Sequence, residues 1–209
     1  MHEVFVEGGL IRKLWSVEAA DAYRDHLLRL DAESRRSRFG GAVADEMIRS
    51  YAATARGSDV VIHGLFVDGV LRGAADLRIL GPLYRREAEV AFSIEKPWQS
   101  HGVGSVLLER SLLAARNRGI KLLHVSCLAE NQRMQQLARK FDAELTFDFG
   151  TVVGKMENPH PTPLSVMREL VVDSHSFAAA CVDFQSRLLK PANASIGAFS
   201  GKALSPTTS

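Results

Sequence analysis

The alternation of apolar and polar positions predicts a chain that mixes strands and helices. Apolar runs over residues 60–67 and 70–77 flank the pair Asp68-Gly69, and an Asp-Gly pair between two such runs is typical of a β-hairpin. In the first half of the chain, the pattern also predicts two strands and two helices, over residues 4–6, 88–94, 16–30 and 44–55. Ser16 is the expected N-cap of the first of these helices.

The second half follows a strand–helix–strand order. Residues 99–104 form a short glycine loop, after which Leu108, Leu112 and Ala115 recur at helical spacing. The same reading predicts a strand, a helix and a closing hairpin, over residues 122–127, 131–141, 144–149 and 152–156. A strand–helix–strand crossover within one sheet places its two strands parallel. We therefore expect one parallel pair in this half.

Beyond residue 157 the composition changes. Three prolines between residues 159 and 163 predict a linker, residues 164–189 predict one or two helices, and residues 191–209 are expected to be disordered. The expected organisation is one domain over 1–157, a helical extension over 158–190 and the tail 191–209. Apolar positions form two helical stripes, at Leu164, Met167 and Val171 and at Phe177, Cys181, Phe184 and Leu188. Such stripes need cover from the core or from a second subunit, so a homodimer is possible.

Composition and charge narrow the class of protein. The chain has 209 residues, 46% of them hydrophobic and 24% charged, which excludes a wholly disordered chain. A net charge of +2 gives no argument for binding nucleic acid. Cys127 and Cys181 are far apart without metal-ligand spacing, so we expect neither a disulfide framework nor a metal site. There is no signal-peptide pattern and no apolar run near ~18 residues, which favours a cytoplasmic protein without a membrane partner.

The glycine loop is the first candidate for chemistry. Gly102 and Gly104 precede a helix N-terminus, where free amides and the helix dipole favour an anion such as a phosphate. A dinucleotide fingerprint would need a third glycine, but Leu107 occupies that position, and the Gly-Lys-Ser/Thr of a Walker loop is absent. Taken alone, the loop is equally well explained as a tight strand-to-helix turn.

The surrounding residues add a family resemblance. The segment Gln99-x-x-Gly102-x-Gly104, placed between a strand and a helix, resembles the acyl-CoA-binding signature of the general N-acetyltransferase (GNAT) superfamily. Residues 88–94 look like the central strand of that family, and residues 122–134 look like its next strand and helix. The order of elements over residues 14–156 is also similar.

The resemblance implies a fold and a cofactor site. It implies an α/β (α+β) GNAT fold: a mixed, mostly antiparallel sheet with one splayed parallel pair and helices on both faces. The two parallel strands would separate after Ile94 and after about Cys127, and acetyl-CoA, the implied cosubstrate, would enter between them. Residues implied to contact it are Phe92, Ser93 and Ile94, the loop Gln99, Ser100, His101, Gly102, Val103, Gly104 and Ser105, and Asn131. Asn131 is equally explained as a helix N-cap.

The chain also departs from the family pattern. His101 stands where arginine is most usual, and Ala138 stands where the family often has a tyrosine that protonates the leaving thiolate. Asp142-Ala143 replaces the customary Gly-Phe after the same helix. The tyrosine-acid mechanism is therefore not supported here.

Glu89 is the first candidate for a general base. Acetylation of an amine with a pKa near ~10.4 requires a group that accepts a proton. Strand alternation places Glu87, Glu89, Ala91 and Ser93 on one face of the predicted strand. Some family members that acetylate lysine have a base near the position of Glu89. An ion-paired strand glutamate is the competing interpretation, and Glu87 is the reserve candidate.

Other polar residues give weaker signals. His124 and Ser126 share a strand face and could order a water or protonate a thiolate, whereas His63 and Cys127 are more simply read as buried residues. The basic run over residues 35–38, expected between the first two helices, could bind a carboxylate or phosphate on a substrate. Such a run is more often a solvated surface.

The resulting hypothesis is an N-acetyltransferase. The sequence favours transfer of an acetyl group from acetyl-CoA to a primary amine, on a small molecule or a protein lysine, by direct attack in a ternary complex. A regulatory module that binds acyl-CoA with little catalysis is the alternative, because the tyrosine is missing. A third possibility is an interaction protein that acts through residues 164–189. The sequence does not identify the acceptor.

Overall fold

One mixed sheet organises the chain. The structure, a computed structural model, describes residues 9–81 and 86–189, and their side chains except at 16–19, 175, 176 and 179–189. Within these residues the strands are β1 (Gly9–Lys13), β2 (Val60–Val67), β3 (Val70–Leu80), β4 (Glu87–Ile94), β5 (Leu122–Leu128), β6 (Glu144–Asp148) and β7 (Thr151–Glu157). Their order across the sheet is β1-β2-β3-β4-β5-β7-β6. The helices are α1 (Ser16–Arg29), α2 (Ala32–Phe39), α3 (Asp45–Ala53), α4 (Val103–Asn117), α5 (Gln132–Lys140) and α6 (Pro163–Leu189).

The parallel pair is β4 and β5, and it opens early. Their pairing runs only from Glu87 opposite Leu122 to Glu89 opposite His124. The gap beyond these last two residues is called the V below. The expectation that the strands part only after Ile94 and Cys127 is wrong, because each strand follows its antiparallel neighbour. β4 stays paired with β3 through Ile94, while β5 stays paired with β7 through Leu128. The expected fold, with one splayed parallel pair, is confirmed.

Helices cover both faces of the sheet, and each face has its own apolar core. On one face Leu107 of α4 packs with Val90 of β4, and both are fully buried. On the other face Leu27 of α1 and Ile48 of α3 pack with Ala74 of β3. β4 alternates as the sequence predicts, with Val90 on the α4 face and the Glu89 side chain toward α2 and α3.

Two local expectations are wrong. Ser16 is the first residue of α1 rather than its N-cap, and Trp15, which occupies the cap, makes no side-chain hydrogen bond there. The basic run 35–38 is not a connection but part of α2. Asp31 begins that helix by accepting a hydrogen bond from the Ser34 amide at 3.0 Å, and Gly40 ends it with a left-handed φ of 75°.

The extension is one long helix, and polar side chains attach it to the domain. Glu169 accepts hydrogen bonds from Asn117 and Arg118, and Asp173 pairs with Lys13 at 3.0 Å. The first predicted stripe instead points to solvent, with Leu164 at 76% and Met167 at 62% exposure. The core therefore does not cover this stripe. The homodimer stays a prediction.

Some predictions concern parts of the chain that the structure does not describe. The strand at 4–6, the tail 191–209 and the side chains at 181–188 lie outside the described residues. Among the described residues, no helix combines the length and apolar character needed to cross a bilayer.

Candidate active site

A cleft of about 320 Å³ lies beside the V, on the α1–α3 face of the sheet. It is lined by the C-terminal end of α2, by α3 and by strands β3, β4, β5 and β7. The lining residues that matter for chemistry are Arg38, Tyr51, Asp76, Arg78, Glu89 and Cys127. Because β4 and β5 separate here, the cleft is next to unpaired strand edges. The topology thus brings polar side chains to the opening between β4 and β5.

Glu89 and Glu87 differ in their partners. Glu87 contacts His124, with 3.2 Å between its Oε2 atom and the Nε2 atom of the histidine. Glu89 lies half-buried on the cleft wall, and among the described residues nothing donates a hydrogen bond or an ion pair to its carboxylate. Glu89 therefore has the free lone pairs that a proton acceptor requires, whereas Glu87 is already engaged.

Asp76 is the centre of a buried polar cluster at the cleft. Its Oδ2 atom accepts hydrogen bonds from Tyr51 at 2.6 Å, Tyr23 at 3.0 Å, Arg78 at 3.0 Å and Arg38 at 3.3 Å. The Asp76 side chain is fully buried and that of Arg38 is 7% exposed. These five residues are called the aspartate–arginine cluster. A buried carboxylate needs such partners to remain ionised.

The two tyrosines of the cluster stay neutral. Burial raises the pKa of Tyr23 well above its usual range, and burial likewise raises the pKa of Tyr51. Because a neutral phenol contributes no charge, Asp76 faces two guanidinium groups as their only anionic partner within the cluster. The cluster thus has one positive charge in excess.

A second buried network fixes the end of β4. The Nε2 atom of His26 lies 3.0 Å from the Ser93 hydroxyl, and its Nδ1 atom lies 3.2 Å from Glu95. Glu95 also accepts hydrogen bonds from Arg29 and Arg72, each at 3.0 Å. Burial lowers the pKa of His26, so the imidazole is neutral at pH 7. The network ties α1 to the strand that borders the V.

The glycine loop has free amides at the start of α4. Ser100 and Gly102 have left-handed φ values of 65° and 78°, and Gly102 is the N-cap. The amides of Gln99 and Ser105 bond to carbonyls of the chain, at Lys96 and Gly102. In this part of the described chain, no amide from 100 to 104 donates a backbone hydrogen bond. Such a turn, with its amides unpaired, is typical of an anion site.

Side chains around the loop hold it in place. Gln99 donates to the Ile94 carbonyl at 2.9 Å and accepts from Arg133 at 2.8 Å, which joins β4, the loop and α5. Lys140 reaches the Ser105 hydroxyl at 3.3 Å. A Cβ on Gly104 would lie 3.2 Å from Leu137, so this glycine permits close packing of α4 on α5. Arg133 and Lys140 thus place positive charge beside the loop.

The comparison with known proteins identifies the family. The model of the acetyltransferase (GNAT) family matches residues 21–143, which is more than half of the chain. The chain belongs to the GNAT family. The resemblance noted from the glycine loop and the flanking strands is thereby confirmed, and the matched segment includes α4, β5 and α5 as well as the cleft residues Arg38 to Cys127.

Solved GNAT structures share the fold at low identity. The GNAT domain of PAT from S. lividans has a TM-score of 0.61 at 22% identity, covering 70% of this chain and 89% of that one. The protein yncA from Salmonella typhimurium, solved with acetyl-CoA, has a TM-score of 0.55 at 17% identity, covering 75% and 98%. The PaiA N-acetyltransferase from Thermoplasma acidophilum, solved with coenzyme A, has a TM-score of 0.52 at 17% identity, covering 71% and 98%.

Ala138, predicted to stand where the family often has a tyrosine, is tightly packed. Ala138 is buried at 2% exposure, and a Cβ on Gly154 would lie 3.5 Å from its own. Asn131 is the N-cap of α5, because its side chain accepts from the Met134 amide at 3.1 Å. Its pantetheine contact stays a prediction.

The other predicted residues divide between the two faces. Ser126 and Cys127 line the cleft, and burial raises the pKa of the Cys127 thiol, so it remains protonated. His63 lies on the α4 face, away from the cleft, where burial lowers its pKa to about 3 with Arg110 adding to the effect. His124 is held by Glu87. Of these four residues, Ser126 is the one placed to act in the cleft.

The structure separates the arginines of the basic run. Arg35 donates to the Leu28 and Leu30 carbonyls and pairs with Asp45. Arg36 is 58% exposed and pairs with Glu130. Arg38 alone reaches the cleft.

Sequence reasoning missed Asp76, Tyr51 and Arg78. A single aspartate inside the apolar strand Gly73-Ala74-Ala75-Asp76-Leu77 was the available signal, because a charge on a buried strand requires partners. It also missed His26 and Glu95, for which the sequence offers no comparable signal.

Proposed function

We propose that this GNAT protein transfers an acetyl group from acetyl-CoA to a primary amine, with Glu89 as the general base. The observation that supports this most directly is the carboxylate of Glu89 on the wall of a cleft at the V, which has no partner among the described residues. An amine must lose a proton to attack a thioester, and a half-buried carboxylate without partners is suited to accept it. Solved GNAT relatives bound to acetyl-CoA or coenzyme A support the choice of cosubstrate.

The loop before α4 supplies the phosphate-binding part of the site. The amides of Ser100, His101, Gly102, Val103 and Gly104 would surround the pyrophosphate. Gln99 and Ser105 act as anchors of the loop, through their contacts with Ile94 and Lys140. Phe92, Ser93 and Ile94 border the V, where backbone groups left without a β5 partner would bind the pantetheine arm. Asn131 begins the helix on the opposite side.

The reaction is a direct transfer within a ternary complex. The amine nitrogen attacks the thioester carbonyl carbon, a C–N bond forms and the C–S bond breaks. Glu89 takes the proton that the nitrogen loses, the departing thiolate takes a proton from water, and the resulting hydroxide is neutralised by the proton on Glu89. A covalent acetyl-cysteine step has no support, because the thiol of Cys127 is buried and protonated. The buried Ala138 supplies no acid.

Two substitutions on one strand test this assignment. Glu89→Gln keeps the size of the side chain but removes its basicity, so kcat should fall by ~10²-fold or more with little change in acetyl-CoA affinity. Glu87→Gln, two residues away on the same face and bound to His124, is the matched control and should retain most of the activity. Release of coenzyme A thiol over a panel of amines and peptides measures kcat, and titration calorimetry measures cofactor affinity.

The outcomes separate the proposal from its rivals. Equal rates for the two variants would remove the base role from Glu89. Binding of acetyl-CoA without turnover of any amine would favour the regulatory alternative. Absence of binding at millimolar acetyl-CoA would overturn both.

A further inference from the structure

We propose that the acceptor is a small amine that also has a carboxylate, in the manner of an amino acid, and that Arg38 and Arg78 bind this carboxylate. The inference rests on the proposed function, because it assigns the second half of the same site. It concerns the residues that face Glu89 across the cleft, all of them in the aspartate–arginine cluster.

The first argument is the balance of charge. Arg38 and Arg78 both contact Asp76, so two positive charges share one carboxylate. Among the described residues, no other acidic side chain comes within 4.0 Å of either guanidinium. A buried cation without its own anion is costly. Within the cluster, the two guanidinium groups can therefore accept one further negative charge, provided that a positive group of the same ligand faces Glu89.

The second argument is the distribution of hydrogen bonds. Arg38 makes its three contacts, to Tyr23, Tyr51 and Asp76, through the single Nη2 atom. Among the described residues, its buried Nε atom has no hydrogen-bond partner, and neither has the buried Nη2 atom of Arg78 or the Oδ1 atom of Asp76. The two guanidinium donors suit a ligand carboxylate, whereas the Asp76 oxygen can only accept a hydrogen bond, for which the ammonium group of the same ligand is the suitable donor. Guanidinium groups bind a planar carboxylate through two parallel hydrogen bonds.

The third argument is the position of Glu89. Arg78 on β3 and Glu89 on β4 are directly opposite in the antiparallel register, which places their Cβ atoms ~4.5–5.5 Å apart. They form no ion pair, so each is available to a different group of one ligand. The four charged lining residues together are neutral, with Asp76 and Glu89 against two arginines. Such a lining suits a zwitterion, whose amine would approach Glu89 and whose carboxylate would approach the arginines.

The wall formed by α2 favours a small acceptor. Two surface ion pairs join this helix to the residues that follow the two strands of the V. Glu33 pairs at 3.0 Å with Lys96, which follows β4, and Arg36 pairs at 2.8 Å with Glu130, which follows β5. The enclosed volume of about 320 Å³ is that of a small-molecule site. A lysine side chain from a protein would bring an amine but no carboxylate for the arginines.

The test compares matched acceptors in the full chain. The probes are the proteinogenic amino acids and the amines that result from their decarboxylation, each at saturating acetyl-CoA. At least one amino acid should exceed its decarboxylated partner by tenfold or more in kcat/KM. Arg78→Gln should reduce kcat/KM for that amino acid by ~10- to 100-fold, mostly through KM, and should reduce kcat/KM for the decarboxylated amine at least several-fold less.

Controls keep the result interpretable. Arg49→Gln removes a guanidinium from an exposed position of α3 outside the cleft lining and should leave both rates unchanged. Arg78→Lys keeps the charge and should recover part of the affinity for the amino acid and raise its ratio of kcat/KM to that of the decarboxylated amine, whereas rescue of a merely structural role would raise both members of the pair alike. Circular dichroism confirms that each variant is folded.

Each outcome decides one proposal. Turnover of amines that lack a carboxylate, at rates equal to those of the matching amino acids, overturns this inference and leaves the acetyltransferase proposal intact. Turnover of peptides with no preference for a carboxylate does the same. An equal loss on both members of a pair in Arg78→Gln also overturns it. Failure of every amine, carboxylated or not, overturns the proposed function and this inference with it.

Discussion

The two sides of the V are made from different chemistry. On the α4–α5 side, the groups at hand are backbone amides from residues 100–104, a glycine N-cap and close apolar packing at Gly104. On the α1–α3 side, they are charged side chains that are buried and share hydrogen bonds around Asp76. Backbone groups recognise what every member of a family binds, whereas side chains can differ from one member to the next. The contrast suggests that one side holds the cofactor and the other selects the acceptor.

The contrast also concerns tolerance to substitution. The loop depends on backbone conformation, so a new Cβ is damaging there while most side-chain changes are mild. The aspartate–arginine cluster depends on paired charges, so removal of a single charge is damaging there. The predictions below test this difference, beginning with the largest effect.

Asp76→Asn should destabilise the fold more than any other single change considered for this site. It would leave the buried Arg38 and the half-buried Arg78 without an anion, and breaking a buried pair in this way costs ~3–5 kcal/mol of unfolding free energy. Denaturant unfolding measures the loss. Asp45→Asn is the matched control, because Asp45 pairs with Arg35 at a site where it is 59% exposed, and its effect should remain within ~0.5 kcal/mol. Similar losses at the two aspartates would show that burial does not distinguish them.

Gly104→Val should act on the other side of the V. The added side chain would press on Leu137 and disturb the loop, so affinity for acetyl-CoA should fall by ~1–3 kcal/mol. Titration calorimetry measures this affinity. Gly41→Val is the control, since a Cβ at Gly41 meets no atom within 4 Å, and it should bind acetyl-CoA normally. If folded Gly104→Val bound within twofold of the unmodified protein, the loop would not be the phosphate site.

Some features of the two sides of the V could be predicted from the sequence, and others could not. The hairpin at Asp68-Gly69, the parallel pair and the glycine loop follow from local patterns, because turn chemistry and periodicity depend on neighbouring residues. The early opening of the V could not be foretold, since it depends on the antiparallel partners that β4 and β5 follow through Ile94 and Leu128.

The candidate site divides in the same way. Glu89 was predictable from strand alternation, but its freedom from partners depends on contacts that form only in the fold. Arg38 is one of three arginines in the run 35–38. Which of the three faces the cleft depends on where α2 begins, at its N-cap Asp31. Arg78 reaches the same cleft because β3 pairs with β4, which places it opposite Glu89. Long-range register was therefore the missing information.

A buried histidine on the α4 face should make the fold sensitive to acid. His63 has a pKa near 3 in the folded chain, against ~6.5 when unfolded. Between these values the unfolded chain binds the extra proton, so stability is full above about pH 6.5 and falls as the pH decreases toward 3. The slope should approach ~1.4 kcal/mol per pH unit. Denaturant unfolding at several pH values measures it.

His63→Gln should flatten that slope and leave the rest of the pH dependence in place. Burial also lowers the pKa of His26 on the opposite face, where Glu95 offsets part of the effect, so His26 contributes with the same sign. An unchanged slope in His63→Gln would assign the acid sensitivity to the α1–α3 face instead.

The smallest effect is expected at α6, which packs behind the α4 side and away from the cleft. Ser165 is buried there, exchanges hydrogen bonds with Thr162 at the start of the helix, and donates to Asn117 at 2.6 Å. Ser165→Ala should lower the unfolding free energy by ~1 kcal/mol, with unchanged kcat because no cleft residue is touched. Met167→Gln alters only the exposed stripe and should change stability by less than ~0.5 kcal/mol. Light scattering on the same samples tests the predicted homodimer: a mass of two chains that Met167→Gln lowers would place the stripe in the interface. A loss of activity in Ser165→Ala would contradict the independence of the two sides, because it would show that the packing of α6 is felt across the sheet in the cleft.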